Sequence, residues 1–496
     1  MSVARGALLN LAGHLAPLAA ALLALPVLVA RLDADRFGFL SLAWVIVGYF
    51  SLFDLGLGRA LARLVAERLG TPRESELPAL TRTALALTFA LGALAGALLL
   101  LFAAPLCEKL IKIPLALQAE SVDALRLLAV SLPFVTLAAA LRGILEAGRR
   151  FGWVNAIRIP LGILTFAGPA ALVLNTTSLV ALAVLLMLLR VATLAAHWFA
   201  CARLYPRLMA SGALTAAGLA EMLRFGAWLT VSNVVGPLMV YLDRFVIGAM
   251  IAVSAVAYYA APYEVVTRLW IVPMALSGVL FPVFVAAQAG DPGRTVRLYR
   301  VGIKAVLLMI FPLAFAAALF APEWMELWLG ADYAARGARV AQILLAGVLV
   351  NCLAQIPYTL LQAAGRADLT AKTHLAELPF YIALLAVLTS GWGIEGAAIA
   401  WSARCAVDAL VLFLLAARVL PAAPTVLAPG QRAAIALLFA FMLGALVPAG
   451  AQVKLVYLLV AGAVFCALGW RVLLDPEERR LAKHPLALLA GGEALR

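Results

Sequence analysis

The chain has 496 residues, of which 65% are hydrophobic and only 13% charged, whereas soluble globular chains run at about 45–50% and about 25%. That balance excludes an ordinary soluble domain. The formal net charge of +13 does not point to nucleic acid, because its basic residues are spaced as membrane topology spaces them.

In chain order, apolar spans fall at 7–30, 38–58, 80–103, 122–146, 153–174, 178–202, 222–250, 255–285, 301–321, 338–363, 373–391, 395–417, 432–449 and 454–474. This is an all-α polytopic membrane pattern of about fourteen helices. Each block is about 20 residues, enough to cross about 30 Å of hydrocarbon, and none alternates as a barrel strand would. The first run, up to Ala30, is too long for the apolar region of a signal peptide and counts as a span. The longest loops, near 104–121 and 322–337, are too small to be domains. Trp324, Trp328 and Tyr333 suit an interfacial aromatic belt. The polar tail with Glu477, Glu478, Arg479, Arg480 and Lys483 predicts a short cytoplasmic helix.

Basic residues concentrate in alternate loops: Arg63, Arg68 and Arg73, then Arg149 and Arg150, Arg203 and Arg207, Arg294, Arg297 and Arg300, Arg366 and Lys372, Arg418 and Arg432. The positive-inside rule therefore places both termini in the cytoplasm. The cysteines Cys107, Cys201, Cys352, Cys405 and Cys466 are lone and widely spaced, which implies no metal, cofactor or redox site.

A weak repeat divides the chain. Leu145-Glu146-Ala147-Gly148-Arg149 returns as Gln362-Ala363-Ala364-Gly365-Arg366, and Phe37-Gly38-Phe39 as Val256-Ala257-Tyr258, at offsets of 217 and 219 residues. About six spans separate the copies, so the halves keep one orientation, a plan that suits substrate binding between two rocking lobes. The predicted division is a six-helix lobe over 1–210, a second over 211–420, two additional spans over 421–475 and a tail over 476–496.

Ionisable groups inside spans cost about 2.5–3.5 kcal/mol each even on the lenient scale. Asp243, Arg244, Glu264 and Arg268 are therefore expected to face protein or a hydrated cavity. Glu264 and Arg268 stand one turn apart on one face. Asp243 and Arg244 diverge by about 100°, so at least one of them is free to engage another helix. The guanidinium fork suits phosphate, and buried carboxylates beside it suit a coupling Na⁺ or proton. Asp54 and Arg59 mark the second span, and Asn351 and Gln355 place two amides one turn apart in the tenth. Arg190, Arg404 and Asp408 read as structural, with Asp408 neutralising Arg404 one turn away. His14, His197 and His374 read as ordinary polar packing.

Prolines punctuate the spans, among them Pro133, Pro273 and Pro282, and each bends its helix. Gly236-Pro237 is a candidate bending point. Asp33-Ala34-Asp35 has the form that glycosyltransferases use to hold a metal, yet its loop is too short to enclose a pocket and reads as a solvated turn.

The stretch Tyr241-Leu242-Asp243-Arg244-Phe245-Val246-Ile247-Gly248, with Ala255-Val256-Ala257-Tyr258-Tyr259 and Pro262-Tyr263-Glu264, resembles the seventh and eighth helices of bacterial O-antigen-type polysaccharide flippases. These belong to the multidrug/oligosaccharidyl-lipid/polysaccharide exporter superfamily. Leu327-Trp328-Leu329-Gly330 with Tyr333, and Phe53-Asp54-Leu55-Gly56-Leu57-Gly58, are similar to further stretches of that family. The resemblance implies two six-helix bundles in a V, with two additional helices. It also implies transfer of a polyprenyl-pyrophosphate-linked oligosaccharide from the inner to the outer leaflet of the bacterial inner membrane, feeding polymerase or ligase machinery. Carried over, the pyrophosphate-receiving cations would be Arg244 and Arg268, and the ion-coupling acids Asp243 and Glu264.

The leading expectation is thus a flippase without covalent chemistry, driven by Na⁺ or H⁺ through alternating access. Rivals on the same scaffold are a cation-coupled multidrug exporter and a peptidoglycan-precursor flippase. The surplus of in-span arginine and the two extra spans speak against the exporter. A membrane-embedded glycosyltransferase or polymerase would need a large external loop, which the spacing lacks.

Overall fold

The computed structural model describes residues 3–50, 57–69, 71–209, 214, 238–288, 292–420 and 427–483. Among them every regular element is helical. The first helices are α1 (Val3–Arg31), α2 (Ala34–Phe50), α3 (Leu57–Arg68), α4 (Leu77–Pro105), α5 (Leu115–Ala147), α6 (Phe151–Leu172) and α7 (Leu179–Leu204). Helical residues 238–250 form α8. There follow α9 (Val253–Val266), α10 (Ile271–Gln288), α11 (Pro292–Leu319), α12 (Ala321–Leu329), α13 (Ala331–Ala363), α14 (Ala367–Val419), α15 (Pro429–Gly444), α16 (Ala451–Leu468) and α17 (Pro476–Lys483).

Among the described residues nine helices are long and apolar enough to cross a membrane, and Ala16–Arg31 and Pro429–Gly444 are shorter apolar helices. Two of the predicted spans run together as α14, whose 53 residues are broken only by non-helical Trp392 and Gly393. Gly393 has φ +57, which glycine adopts without the Cβ penalty. It lets two arms form where the sequence places spans 373–391 and 395–417.

Both predicted long loops turn out to be largely helical. A π-helical turn covers Leu106–Leu110 and α5 starts at Leu115, while α12 and the start of α13 fill the second. The polar first turns of α5 and α13, with Gln118, Glu120 and Asp123 or Asp332 and Arg336, extend those helices past their apolar stretches, where hydropathy does not register them. Tyr333 is buried within the protein, and the Trp324 indole donates to the Ala317 carbonyl at 2.9 Å. Asp33 is the N-cap of α2: its Oδ1 accepts from Arg36 N at 2.7 Å and its Oδ2 pairs with the Arg36 guanidinium at 2.7 Å.

The chain divides into two compact units, Met1–Ala261 with Thr389–Ile394 and Pro262–Leu388 with Glu395–Arg496. In the first, α5 packs against α3, α4 and α7 around Leu141, Ile144, Leu145 and Cys201. Small residues set these contacts, as close helix packing in lipid requires. A Cβ at Gly96 would lie 2.7 Å from the Ala129 carbonyl, and one at Gly143 would lie 2.6 Å from the Gly58 carbonyl. In the second unit α13 packs against α10, α11 and α12. The most apolar windows of α13 and α5 are 83% and 61% buried, the highest values among the nine spans, so each unit is built around one of these two helices.

Both central helices contain 33 residues and end in the same cap. In α5, Gly148 N donates to Ile144 O, Arg149 N to Glu146 O and Arg150 N to Leu145 O; in α13, Ala364 N donates to Leu360 O, Gly365 N to Gln362 O and Arg366 N to Leu361 O. The left-handed residue of this Schellman-type turn is Arg149 (φ 54) in one copy and Gly365 (φ 71) in the other. The structural register thus pairs Arg149 with Gly365, an offset of 216 residues, and corrects the glycine-to-glycine pairing at 217. Residue identity alone pairs the glycines, whereas the turn requires only one left-handed residue at a fixed place.

The additional helices are pinned to the second unit by buried lysines. Lys454 on α16 pairs with Glu323 on α12 at 2.7 Å. Lys304 on α11, 2% exposed, holds Asp475 at 3.1 Å and Glu478 at 2.6 Å at the start of α17. A hydrogen bond from Gln342 Nε2 of α13 to the Ala445 carbonyl at 3.3 Å reinforces the attachment, and one from Gln431 Nε2 of α15 to the Leu473 carbonyl at 3.1 Å ties the additional helices to each other.

Candidate functional site

Two in-span charges of the first unit, Asp243 and Arg244, lie on α8. Asp243 is fully buried, and its two oxygens are used differently: Oδ1 accepts from Arg244 N at 2.7 Å, and Oδ2 accepts from the Tyr259 hydroxyl on α9 at 2.5 Å. Asp243 thus reaches a neighbouring helix, as the 100° divergence allows. Arg244 is 2% exposed, and its guanidinium lies over the Tyr241 ring at 5.4 Å. Arg190 is half-buried on α7, with no carboxylate within 4 Å among the described residues, so the internal pair expected to explain it is not formed. Asp54 and Gly236-Pro237 lie outside the described residues, and Arg59 sits on α3 with only its backbone described.

In the second unit Glu264 and Arg268 pair at 2.6 Å, with side chains 31% and 36% exposed. The helix tightens there into a 3₁₀ turn, Thr267–Trp270, between α9 and α10. Pro273 follows in α10; it has no N–H for the carbonyl four residues earlier and its ring crowds that group. The arginine expected at the middle of a continuous span is thus carried on a mid-span 3₁₀ turn, a geometry often found at hinges. The chelated pair keeps a third of each side chain accessible, so a guanidinium face is available to an anion. Asn351 and Gln355 stand half-buried one turn apart on α13, and the Gln355 carbonyl accepts from Thr359 Oγ1 at 2.6 Å.

The twelfth-span charges are arranged differently from expectation. Arg404 has no carboxylate within 4 Å among the described residues. Its guanidinium lies over Tyr381 and Trp401 at 5.5 and 5.9 Å and donates to Cys405 Sγ at 3.3 Å. Asp408 instead stands 3.4 Å from His374 Nε2 on the other arm of α14, and the His374 ring stacks on Tyr358 of α13 at 6.5 Å. One helical turn brings Arg404 and Asp408 onto one face, but Tyr381 across the hairpin and Trp401 on the same arm draw the guanidinium away. His374 is consequently no bystander. His197 is one, with Nδ1 2.8 Å from the Thr193 carbonyl.

Glu377 was missed. It lies inside the predicted span 373–391, where the cost of an in-span charge applies to it as much as to Glu264. The structure places it, 9% exposed, on the wall of a cavity of about 510 Å³ together with Lys372, Tyr381 and Arg404. All five cysteines are free.

The chain matches the polysaccharide biosynthesis protein family over residues 28–336, more than half of its length. It belongs to that family. A Shigella flexneri protein named as an O-antigen transporter is 31% identical over 416 residues, covering 83% of this chain and 97% of the relative. Two solved structures share the fold. One is an inward-facing multidrug resistance transporter of the MATE family in the MOP superfamily, with TM-score 0.71 and 16% identity, covering 84% of this chain and 99% of that one. The other is the lipid II flippase MurJ in an inward closed conformation, with TM-score 0.67 and 12% identity, covering 94% and 99%. The chain is a multi-pass membrane protein with the two-lobe helical fold of these transporters, and its α8–α9 stretch lies within the family match.

Proposed function

We propose that this protein carries a polyprenyl-pyrophosphate-linked oligosaccharide from the cytoplasmic to the periplasmic leaflet of a bacterial inner membrane, for assembly of surface polysaccharide. The carrying observation is the 31% identity spanning 97% of a relative named for O-antigen transport. Transport proceeds without covalent chemistry, by alternating access coupled to a Na⁺ or H⁺ gradient, with both termini cytoplasmic as the loop charges require. The lobes are assigned to 1–210 and 211–420, followed by two accessory spans, and the product passes to polymerase or ligase machinery. Arg268 receives the anionic headgroup, since its guanidinium stays one-third exposed on a 3₁₀ turn beside Glu264. Arg244 supports it, with Arg59, Asn351 and Gln355 as further polar contacts, and Asp243, Glu264 and Asp54 serve ion coupling.

Deletion of the gene tests the function. Lipid-linked oligosaccharide should accumulate on the cytoplasmic leaflet and surface polysaccharide should be lost, with both restored by the wild-type chain. Normal surface polysaccharide in the deletion strain would refute the reading. The Arg268 assignment is tested by Arg268→Ala and Arg268→Lys. If the fork geometry matters, lysine does not restore transport, and full complementation by Arg268→Ala at normal protein levels removes Arg268 from the site.

A further inference from the structure

The two arms of α14 leave a cavity of about 510 Å³ between them, walled by Phe380 and Leu384 on one arm and Val407 and Val411 on the other. Phe380 is 78% exposed and Val407 52%, so the cavity opens sideways as a groove in the surface of the hairpin. These residues lie inside the spans 373–391 and 395–417, where the surroundings are hydrocarbon. A groove of this kind takes a lipid chain, because a void would forfeit the dispersion contacts of its walls. Which lipid it takes is decided by the polar groups.

Lys372 and Glu377 stand on the groove wall. Glu377 is 9% exposed, and among the described residues neither of its carboxyl oxygens has a hydrogen-bond partner. A buried acceptor left in that condition is costly. The neighbouring donors are engaged elsewhere. The Arg404 guanidinium lies over Tyr381 and Trp401 and donates to Cys405 Sγ, while His374 stands 3.4 Å from Asp408. At the start of α14, Lys372 pairs with Asp368 at 3.5 Å, a carboxylate that Arg366 already holds at 3.0 Å. Two cations share one carboxylate, so that end of the groove keeps one positive charge. Five residues cover about 7.5 Å of helix axis, and helical side chains lean toward the N-terminus, which turns the Glu377 carboxylate toward the Lys372 end.

We infer that the groove holds one molecule of phosphatidylethanolamine, with its phosphate at Lys372, its ammonium donating to Glu377 and an acyl chain along Phe380, Leu384 and Val411. Charge complementarity selects this headgroup. Phosphatidylglycerol brings a phosphate but no cation for Glu377. A choline headgroup brings a cation that has no N–H to donate. The ethanolamine ammonium supplies both the charge and the donors, three of them as in lysine. The site uses none of the residues proposed to receive the transported headgroup, so it stands whatever the protein carries.

Native mass spectrometry of the delipidated full-length protein in detergent tests this, with palmitoyl-oleoyl phosphatidylethanolamine, phosphatidylcholine and phosphatidylglycerol offered at equal concentration. The wild type should retain one phosphatidylethanolamine and hold the other two about ten-fold less well, the effect of one charge-assisted hydrogen bond. Glu377→Gln should remove that preference. Lys372→Glu, at a position 73% exposed, should weaken retention of all three lipids. Equal or better retention of either other lipid by the wild type overturns the proposal, and so does an undiminished preference in Glu377→Gln. Displacement of phosphatidylethanolamine by a polyprenyl phosphate at equal concentration would assign the groove to the tail of a carried lipid and overturns it too. The wild-type series needs no variant, so the headgroup comparison stands even if Glu377→Gln fails to fold.

Discussion

At the scale of single residues, the two helix caps offer a controlled comparison. Arg149 and Gly365 occupy the same left-handed position of the same turn, and only the arginine bears the Cβ–carbonyl conflict, worth about 1–2 kcal/mol. Arg149→Gly should therefore stabilise the protein by about 1 kcal/mol and Gly365→Ala destabilise it by about as much. No atom lies within 4 Å of a Cβ at Gly365, so its loss reflects backbone conformation alone. Denaturation midpoints in detergent read both, and equal midpoints would refute the strain argument. The Asp243–Tyr259 bond is the second residue-scale test. Asp243→Asn and Tyr259→Phe should each cost about 1–2 kcal/mol, and the double variant should cost clearly less than their sum, because both remove one interaction. Additive losses would mean the 2.5 Å contact carries no energy of its own.

Among elements, the α4–α5 contact is set by Gly92 and Gly96, a G-x-x-x-G spacing. Their Cβ positions would meet Pro133 Cα at 2.8 Å and the Ala129 carbonyl at 2.7 Å. Backbone atoms cannot swing aside as a side-chain tip can, so Gly96→Leu should separate the helices and lower the yield of folded, monodisperse protein several-fold. Leu94, on the same helix and 57% exposed, is the matched control: Leu94→Ala should leave elution in size-exclusion chromatography unchanged. If both variants behave alike, the small-residue contact does not determine the packing. The 3₁₀ turn at Thr267–Trp270 belongs to this scale as well. Its proline was visible in the sequence, but that it would tighten one turn and present Arg268 there depends on packing around it.

For the molecule as a whole, the accessory helices are part of the folded body. Lys454–Glu323 and Lys304–Asp475–Glu478 bury charges that only α16 and α17 neutralise. Truncation after Leu420 leaves buried Lys304 without its partners, and an orphaned buried charge costs about 3–5 kcal/mol, whereas Glu323, half-exposed, loses Lys454 at little cost. The truncated protein should accumulate poorly in the membrane, and Lys304→Met in the truncated chain should recover part of the loss. Normal accumulation of the truncated chain would show that the tail is dispensable. Much of this architecture was legible beforehand. Among the described residues, span positions, helical class, the tail helix and the Glu264–Arg268 pair follow from hydropathy and one-turn spacing, which act along the chain and need no partner. The assignments of Arg404, Asp408, His374 and Glu377 were not legible, nor was the one-residue register of the repeat. Which aromatic ring draws a guanidinium across a hairpin, and which carboxylate stays unpaired, depends on side chains far apart in sequence. Periodicity alone determined that charges sit at membrane depth in this protein; only the packing of α13 against the two arms of α14 decided which of them neutralise one another, because Coulomb and ring contacts act over a few ångströms of space whatever the distance along the chain.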